Sequence, residues 1–365
     1  MLVGLTVAIG ICLSGCGGGG QSYEDVLLPV GAVDNQFYYL HFAEWSKVGD
    51  YPSSLWVVDV QTEESRRVAG PELQHYLEVS GDYYIFPTTE EGADGVETKS
   101  LTGVQISTGQ RFTIFDGLEN VSYVLEGSRL AYAAGMPQTQ IVVYDLDARD
   151  VLQTVDLPQG ASGVWGLDDT RVLTFQETPE TEGDATSEAT DVIPVLIDLD
   201  TGELTELPPG PQDWVPMPYG SNALAGDWIV TTGMETVSGE SSGAVPMSVV
   251  AWRISAGTWR VLATYEPAAG AMGVGPVAFA FVNDLNAAYA AVYGVTGVDW
   301  ATELIELESG ERTELTGGGA ESVFGSDTAI PYLGVGAAYW VDRSAGSLAV
   351  YEISSATRRT VTLGF

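Results

Sequence analysis

The stretch PVLIDLDTGELTEL, residues 194 to 207, sets two apolar runs around Asp198, Asp200 and the pair Thr201-Gly202. In isolation it reads as half of a cation loop, because side chains two apart on a strand share a face. A calcium loop takes about six oxygens and usually a later bidentate Glu, whereas this run of alternating acids stops after two. The relatives of the stretch decide the matter. LWVVDVQTEESRRV, LTGVQISTGQRFTIF, IVVYDLDARDVLQTV, VVAWRISAGTWRVL, LIELESGERTEL and LAVYEISSATRRTVTL repeat the same plan of apolar run, short polar turn and alternating strand. In register with Leu199 stand Val60, Ile106, Leu146, Ile254, Leu307 and Ile353, at successive intervals of 46, 40, 53, 55, 53 and 46 residues. The Asp198 position is then Gln105 in one copy and Arg253 in another, and the Asp200 position is Ser107, Ser255 and Ser354. A turn that accepts Arg at its first ligand position is a hairpin turn, in which Asp, Thr and Gly each have a conformational reason to appear.

Ahead of each copy lies another strand with a polar or glycine lead-in: NQFYYLHF, GDYYIF, SRLAYAA, TRVLTF, GDWIVTT, NAAYAAVYG and GAAYWVD. A further apolar segment precedes these, as in ELQHYLEV and NVSYVLE. Four strands per unit, a period of 40 to 55 residues and no long amphipathic helix predict an all-β fold, a seven-bladed β-propeller of four-stranded antiparallel blades. The blades are expected at 24–70, 71–117, 118–157, 158–210, 211–266, 267–317 and 318–365, with the last blade closed by RRTVTLGF from its own segment. On these repeats the segment 24–365 resembles the seven-bladed propeller superfamily that includes WD-repeat, TolB-like and quinoprotein-like proteins. The quinoprotein pattern departs at one position: the docking tryptophan four residues after the Thr-Gly glycine is here Glu206, Val261 and Glu314. The resemblance therefore implies no quinone, and no other cofactor is expected.

The composition narrows the partners. Fifty Asp plus Glu face fourteen Lys plus Arg, a formal charge of −36, and only Lys47 and Lys99 are lysines. Such a surface suits salty surroundings or attracts cations, and it excludes nucleic acid, whose phosphates are bound through Lys and Arg. The first sixteen residues, MLVGLTVAIGICLSGC, form an uncharged apolar run of signal-peptide length, too short to span a bilayer. Leu13-Ser14-Gly15-Cys16 resembles the bacterial lipobox, which implies cleavage before Cys16 and acylation of its sulfur. Residues 1–16 are then a lipoprotein signal peptide and 17–23 a Gly-rich tether that lets 24–365 stand off the membrane. Gly rather than Asp at position 17 would send such a lipoprotein to the outer membrane of a Gram-negative envelope. Cys12 lies inside the signal, so no disulfide is expected in the mature chain.

Individual chemistries are weakly represented. GESSG, 239–243, matches the nucleophile-elbow pattern at Ser241, but that elbow needs a strand-turn-helix context. His41 and His75 lack metal-type partners at short spacing, and no zinc, Walker or dinucleotide motif occurs. Long connections at 88–100, 176–194 and 233–247 each fall between the second and third strands of a blade. That face is expected to recognise a ligand or protein partner, with Trp45, Tyr51 and Trp300 in neighbouring connections as aromatic anchors. The expected function is a membrane-anchored extracytoplasmic scaffold. The competing reading is a hydrolase or lyase with carboxylates at a central tunnel, and a third is calcium-dependent assembly through the acidic loops.

Overall fold

The structure, a computed structural model, describes residues 22–364 apart from 47–52, 74–76, 92–96, 117–121, 135–137, 162, 178–191, 213, 218–221, 236–244, 268–276, 284–285, 297–298, 319–329 and 343–345. Its strands form seven antiparallel sheets, the blades of a seven-bladed β-propeller. Blades 1 to 7 occupy residues 22–73, 78–116, 123–156, 166–206, 214–265, 277–318 and 332–362, and within each the strands pair in chain order. Blade 5 differs in that its first strand comes in two pieces, Trp214–Met217 and Leu224–Ala225, both paired with Trp228–Glu235. Strands overrun the expected limits at Ser22, Leu73 and Gly318. The last blade is built wholly from 332–362, as expected.

The chain divides into two compact units: one carries blades 1, 2 and 7 with the turn Leu146–Arg149, the other the rest of blade 3 and blades 4 to 6. In the first unit the strand Gln36–Ser46 shows why its run Phe37–Leu40 is apolar without alternation. Phe37 and Tyr39 pack with Tyr339, Val341 and Val350 of blade 7, while Tyr38, Leu40 and Phe42 pack with Leu77, Tyr84 and Phe86 of blade 2. A blade covered on both faces loses the polar half of the β alternation. In the second unit the same double burial joins blades 3 and 4 through Val143 and Ile197, 4 and 5 through Phe175 and Trp252, and 5 and 6 through Val249 and Ile305.

Blades 7 and 1 meet within the first unit and share no strand. Side chains join them: the Tyr39 hydroxyl donates to the Gly364 carbonyl (2.7 Å), Arg359 donates to the Val60 carbonyl (2.9 Å), and the Gly364 amide donates to Ser65 Oγ (3.1 Å).

The repeated apolar residue has a definite task. The amides of Val60, Ile106, Leu199, Ile254, Leu307 and Ile353 donate to the carbonyls of Asn35, Asp82, Thr170, Asp227, Ala288 and Gly336 at 2.7–2.9 Å. Each therefore ties the third-to-fourth-strand turn to the first-to-second-strand turn of its own blade. Four residues after the Asp198 position, all seven hairpins enter the left-handed region: Glu63, Gly109, Arg149, Gly202, Gly257, Gly310 and Ala356 have φ between 52° and 78°. Glycine is unstrained there, and the other three residues pay for their side chains in backbone energy.

The acids of these turns are hydrogen-bond acceptors for the chain itself. Asp198 Oδ1 accepts from the Thr201 amide and hydroxyl (both 2.8 Å), and Asp59 Oδ1 from the amides of Gln61 and Thr62 (both 2.9 Å). The Thr201 hydroxyl and amide hold the Asp198 carboxyl below its ordinary range. Where Gln105 and Arg253 replace this acid, the carboxylate arrives from the other turn. Asp82 accepts from the amide (2.9 Å) and hydroxyl of Ser107, and Asp227 from the amide (2.8 Å) and hydroxyl of Ser255. Burial pushes Asp227 up, but the Ser255 contacts and Arg253 outweigh it and hold the carboxyl low. In these four blades one carboxylate serves each turn pair, supplied from either side.

Candidate functional site: a carboxyl without a partner

Among the described residues two acidic side chains, Asp168 and Glu303, are buried in the blade interiors, and a third, Glu78, is partly so; their surroundings separate them. Asp168, buried at 7% exposure, accepts from the Thr170 and Arg171 amides (2.8 and 2.7 Å) and pairs with the Arg171 guanidinium, which also donates to the Gly226 carbonyl (2.7 Å). Glu303, at 9%, accepts from the Tyr265 hydroxyl (2.9 Å) and from Arg312. Burial and the neighbouring Glu303 charge push the Tyr265 phenol far above its ordinary range, so it remains a donor. Both networks are closed, and each fastens one blade to the next.

Glu78 is the exception. It opens the three-residue first strand of blade 2, Glu78–Ser80, opposite Ile85. Among the described residues its carboxyl has no hydrogen-bond partner, and burial pushes it from 4.5 up to about 8. Yet the residue keeps part of its surface open to solvent. The carboxyl is thus desolvated by its neighbours without being closed off from solvent.

Tyr332, the first residue of the strand Tyr332–Gly334 of blade 7, shares that environment. Burial and then the Glu78 charge push its phenol far up. Between the two strands runs Ser22–Val33 of blade 1, which packs against both. The turn that follows is pinned to blade 7: the Val335 amide donates to the Asp34 carbonyl (3.2 Å), and a Cβ on Gly334 would lie 2.9 Å from the same oxygen. Phe37 meets the Tyr332 ring edge to face at 6.3 Å. Glu78 and Tyr332 thus stand on strands that pack against one and the same strand, Ser22–Val33.

The residues expected from sequence lie elsewhere. Trp45 is in the second strand of blade 1, opposite Tyr23, and Trp300 is in the third strand of blade 6, half-buried, with its ring 6.2 Å from that of Tyr293. Both extend strands rather than sit in connections. Tyr51, Cys16, His75 and Ser241 lie outside the described residues. His41 pairs with Leu27 and Ser54 within blade 1. Among the described residues no group of three or more His, Cys, Asp or Glu could hold a metal ion.

The connection expected at 88–100 is mostly strand. Tyr83–Glu91 and Glu97–Gln105 pair out to Glu91 opposite Glu97, whereas the flanking strands stop at Ile85 and at Ser100. Residues 89–91 and 97–99 thus pair only with each other among the described residues. In blade 1, residues 42–46 similarly outrun the third strand and pair with the first alone. Sequence reasoning missed Glu78 and Tyr332. The available signal was an acid, Glu78, set between the apolar Leu77 and Val79 at the start of a strand.

These features sit on a propeller scaffold, a class that the comparisons with solved structures bear out. The chain is similar to the β-propeller domain of the Trilobed protease from Pyrococcus furiosus, described as having an open velcro topology, at 10% identity over 93% of this chain and 97% of that one, with a TM-score of 0.55. It is also similar to an acylaminoacyl peptidase in complex with Z-Gly-Gly-Phe-chloromethyl ketone (11% identity, 92% of this chain, TM-score 0.53) and to the Pyrococcus horikoshii acylaminoacyl peptidase (10%, 92%, 0.51). The chain spans about half the length of either peptidase, 52% of each. At such identities the likeness concerns the fold. No family model matches the sequence, and no curated protein matches it.

Proposed function

We propose that the protein is a lipid-anchored extracytoplasmic propeller that binds a protein or other ligand through the ends of its blade hairpins. The observation that supports this reading is the pairing at the end of the second strand in blades 1 and 2 that outruns the neighbouring strands, with the first strand in blade 1 and with the third, as a hairpin, in blade 2. A hairpin without flanking strands adds little to its sheet and offers backbone donors and acceptors on both edges. The anchor rests on Leu13-Ser14-Gly15-Cys16 and the glycines that follow. Cys16→Ala should abolish labelling by radioactive palmitate and release the chain from membranes; a labelled, membrane-bound variant overturns the anchor. Replacing 90–98 by a short Gly-Ser turn should abolish co-purification of a defined partner from detergent-solubilised membranes while leaving the melting temperature unchanged. Retention of that partner overturns the docking face.

A second reading, an extracytoplasmic hydrolase or lyase, draws its support from Glu78. A carboxyl with a pKa of about 8 holds its proton at neutral pH and can give it to a leaving group. Glycoside or ester cleavage also needs a nucleophile or base opposite, and none stands beside Glu78 among the described residues.

A further inference from the structure

We infer that three methionines of blade 5, Met217, Met234 and Met247, form a binding site for a soft monovalent cation, the cuprous ion. The inference stands apart from the docking face and does not depend on it.

The strand register places the three thioethers together. Met234 on the strand Trp228–Glu235 lies opposite Met247 on Met247–Arg253, and Met217, which ends Trp214–Met217, lies opposite Thr232. Opposed residues of antiparallel strands share a face, and so do residues two apart, which sets Met217, Thr232, Met234 and Met247 on one face. That face is turned to blade 6. Met247 and Val230 belong to the core that blade 5 shares with Ala278, Val292 and Ile305, and Met217 and Met234 pack against it. An opposed pair such as Met234 and Met247 has Cβ atoms about 5 Å apart, and a diagonal such as Met217 to Met234 spans about 7 Å. Methionine, with three rotatable bonds, reaches across such gaps, so the three sulfurs can meet at a common point. Met247 is buried at 2% exposure, whereas Met217 and Met234 keep part of their surface open to solvent. An ion thus has an inner ligand and two at the mouth.

A second observation falls in the same place. Thr232 is fully buried, and its Oγ1 has no hydrogen-bond partner among the described residues. Its ladder neighbours are Met217 and Val249, neither of which donates a hydrogen bond. Buried hydroxyls are normally satisfied. A cation held among the thioethers would accept the free lone pair of this one. Tyr265, opposite Met247 on the outer strand, gives its hydroxyl to Glu303 and takes no part.

The ligand type selects the ion. Thioethers are soft, neutral and free of any proton to lose, which suits Cu(I), whereas calcium and magnesium take oxygen ligands. Methionine is an ordinary gap-filler in cores, and as such it would be scattered. Here every methionine among the described residues stands on one face of one blade of seven. The chain's charge of −36 concentrates cations around it.

The test is anaerobic titration of the full-length lipidated chain, in detergent, with Cu(I) kept reduced by ascorbate and in competition with the chromophoric chelator bicinchoninate. One ion should bind per chain, and a large excess of calcium nitrate should leave the affinity unchanged. Met234→Leu and Met247→Leu, which nearly conserve volume, should each weaken binding at least about tenfold with the melting temperature of the metal-free chain unaltered. Asp200→Asn, at an exposed turn acid, should bind as the unaltered chain does. X-ray absorption at the copper edge should show a shell of sulfur neighbours. A shell of oxygen and nitrogen alone would overturn the inference, as would displacement of the ion by calcium. So would unchanged binding in a folded variant carrying Met217→Leu, Met234→Leu and Met247→Leu together. Should the variants fail to fold, the absorption spectrum of the unaltered chain decides alone.

Discussion

Two polar residues at first strands meet opposite fates. Asn222, at the break in the first strand of blade 5, is buried and fully engaged. Its Oδ1 accepts from the amides of Leu167 and Leu224 (3.1 and 3.0 Å), and its Nδ2 donates to the Leu167 carbonyl (2.7 Å) and to Glu126 (3.1 Å). It binds the first strands of blades 3, 4 and 5 to one another. Glu78 occupies a comparable place in the other unit, and the described chain leaves it without a hydrogen bond. Buried polar groups are normally satisfied, as Asn222 is, whereas Glu78 keeps part of its surface open to solvent. Position alone does not distinguish the two; their hydrogen bonds do.

The largest effect is expected where the comparison is most one-sided. Asn222→Ala orphans both backbone groups of Leu167 and the amide of Leu224, and should cost about 4 kcal/mol in urea denaturation. A loss under about 1 kcal/mol would mean that water replaces the side chain, and the contrast with Glu78 would collapse.

Glu78→Gln should act in the opposite direction and depend on pH. The folded chain keeps this carboxyl protonated up to about pH 8, while the unfolded chain ionises it near 4.5. Stability from this group is therefore complete below pH 4.5 and is lost progressively as pH rises to about 8. Gln does not titrate. The variant should match the unaltered chain at pH 4 and exceed it at pH 9 by about 2 kcal/mol. Parallel thermal stability profiles across that range would place Glu78 in open solvent.

The smallest effects belong to the hairpin turns that both units share. Gly202→Ala should destabilise by about 1 kcal/mol, and Ala356→Gly should stabilise by a similar amount, because both sit at positive φ. Differential scanning calorimetry of the pair should give shifts of opposite sign. Equal signs would mean that the left-handed residue is not what sets the turn.

The blades were legible because their signals are local and repeated. The spacing from Val60 to Ile353 marks a hydrogen bond made within one blade, and the apolar runs record burial on two faces. Trp45, Trp300 and the segment 88–100 read as connections because pairing that continues past its neighbours leaves no period in the sequence. Glu78 and Tyr332 were illegible for a different reason. Their strands come near one another only because those of blades 2 and 7 both pack on the first strand of blade 1, and neither residue carries a motif. A Glu beside apolar residues is common; what sets this one apart is that no arginine pairs with it among the described residues, which no linear reading reveals.

The exchange of carboxylates between the two turns of a blade bears on how such a chain can diverge. In blades 2 and 5 the acid has moved from the third-to-fourth-strand turn to Asp82 and Asp227, and the serine two residues past the vacated place receives it. An acid can thus be gained on one side before it is surrendered on the other, with the turn satisfied throughout. No column of the aligned repeats then has to stay constant. Seven copies can drift toward separate alphabets while obeying a single grammar of hydrogen bonds, which is how Asp-Leu-Asp, Gln-Ile-Ser and Arg-Ile-Ser come to occupy the same place.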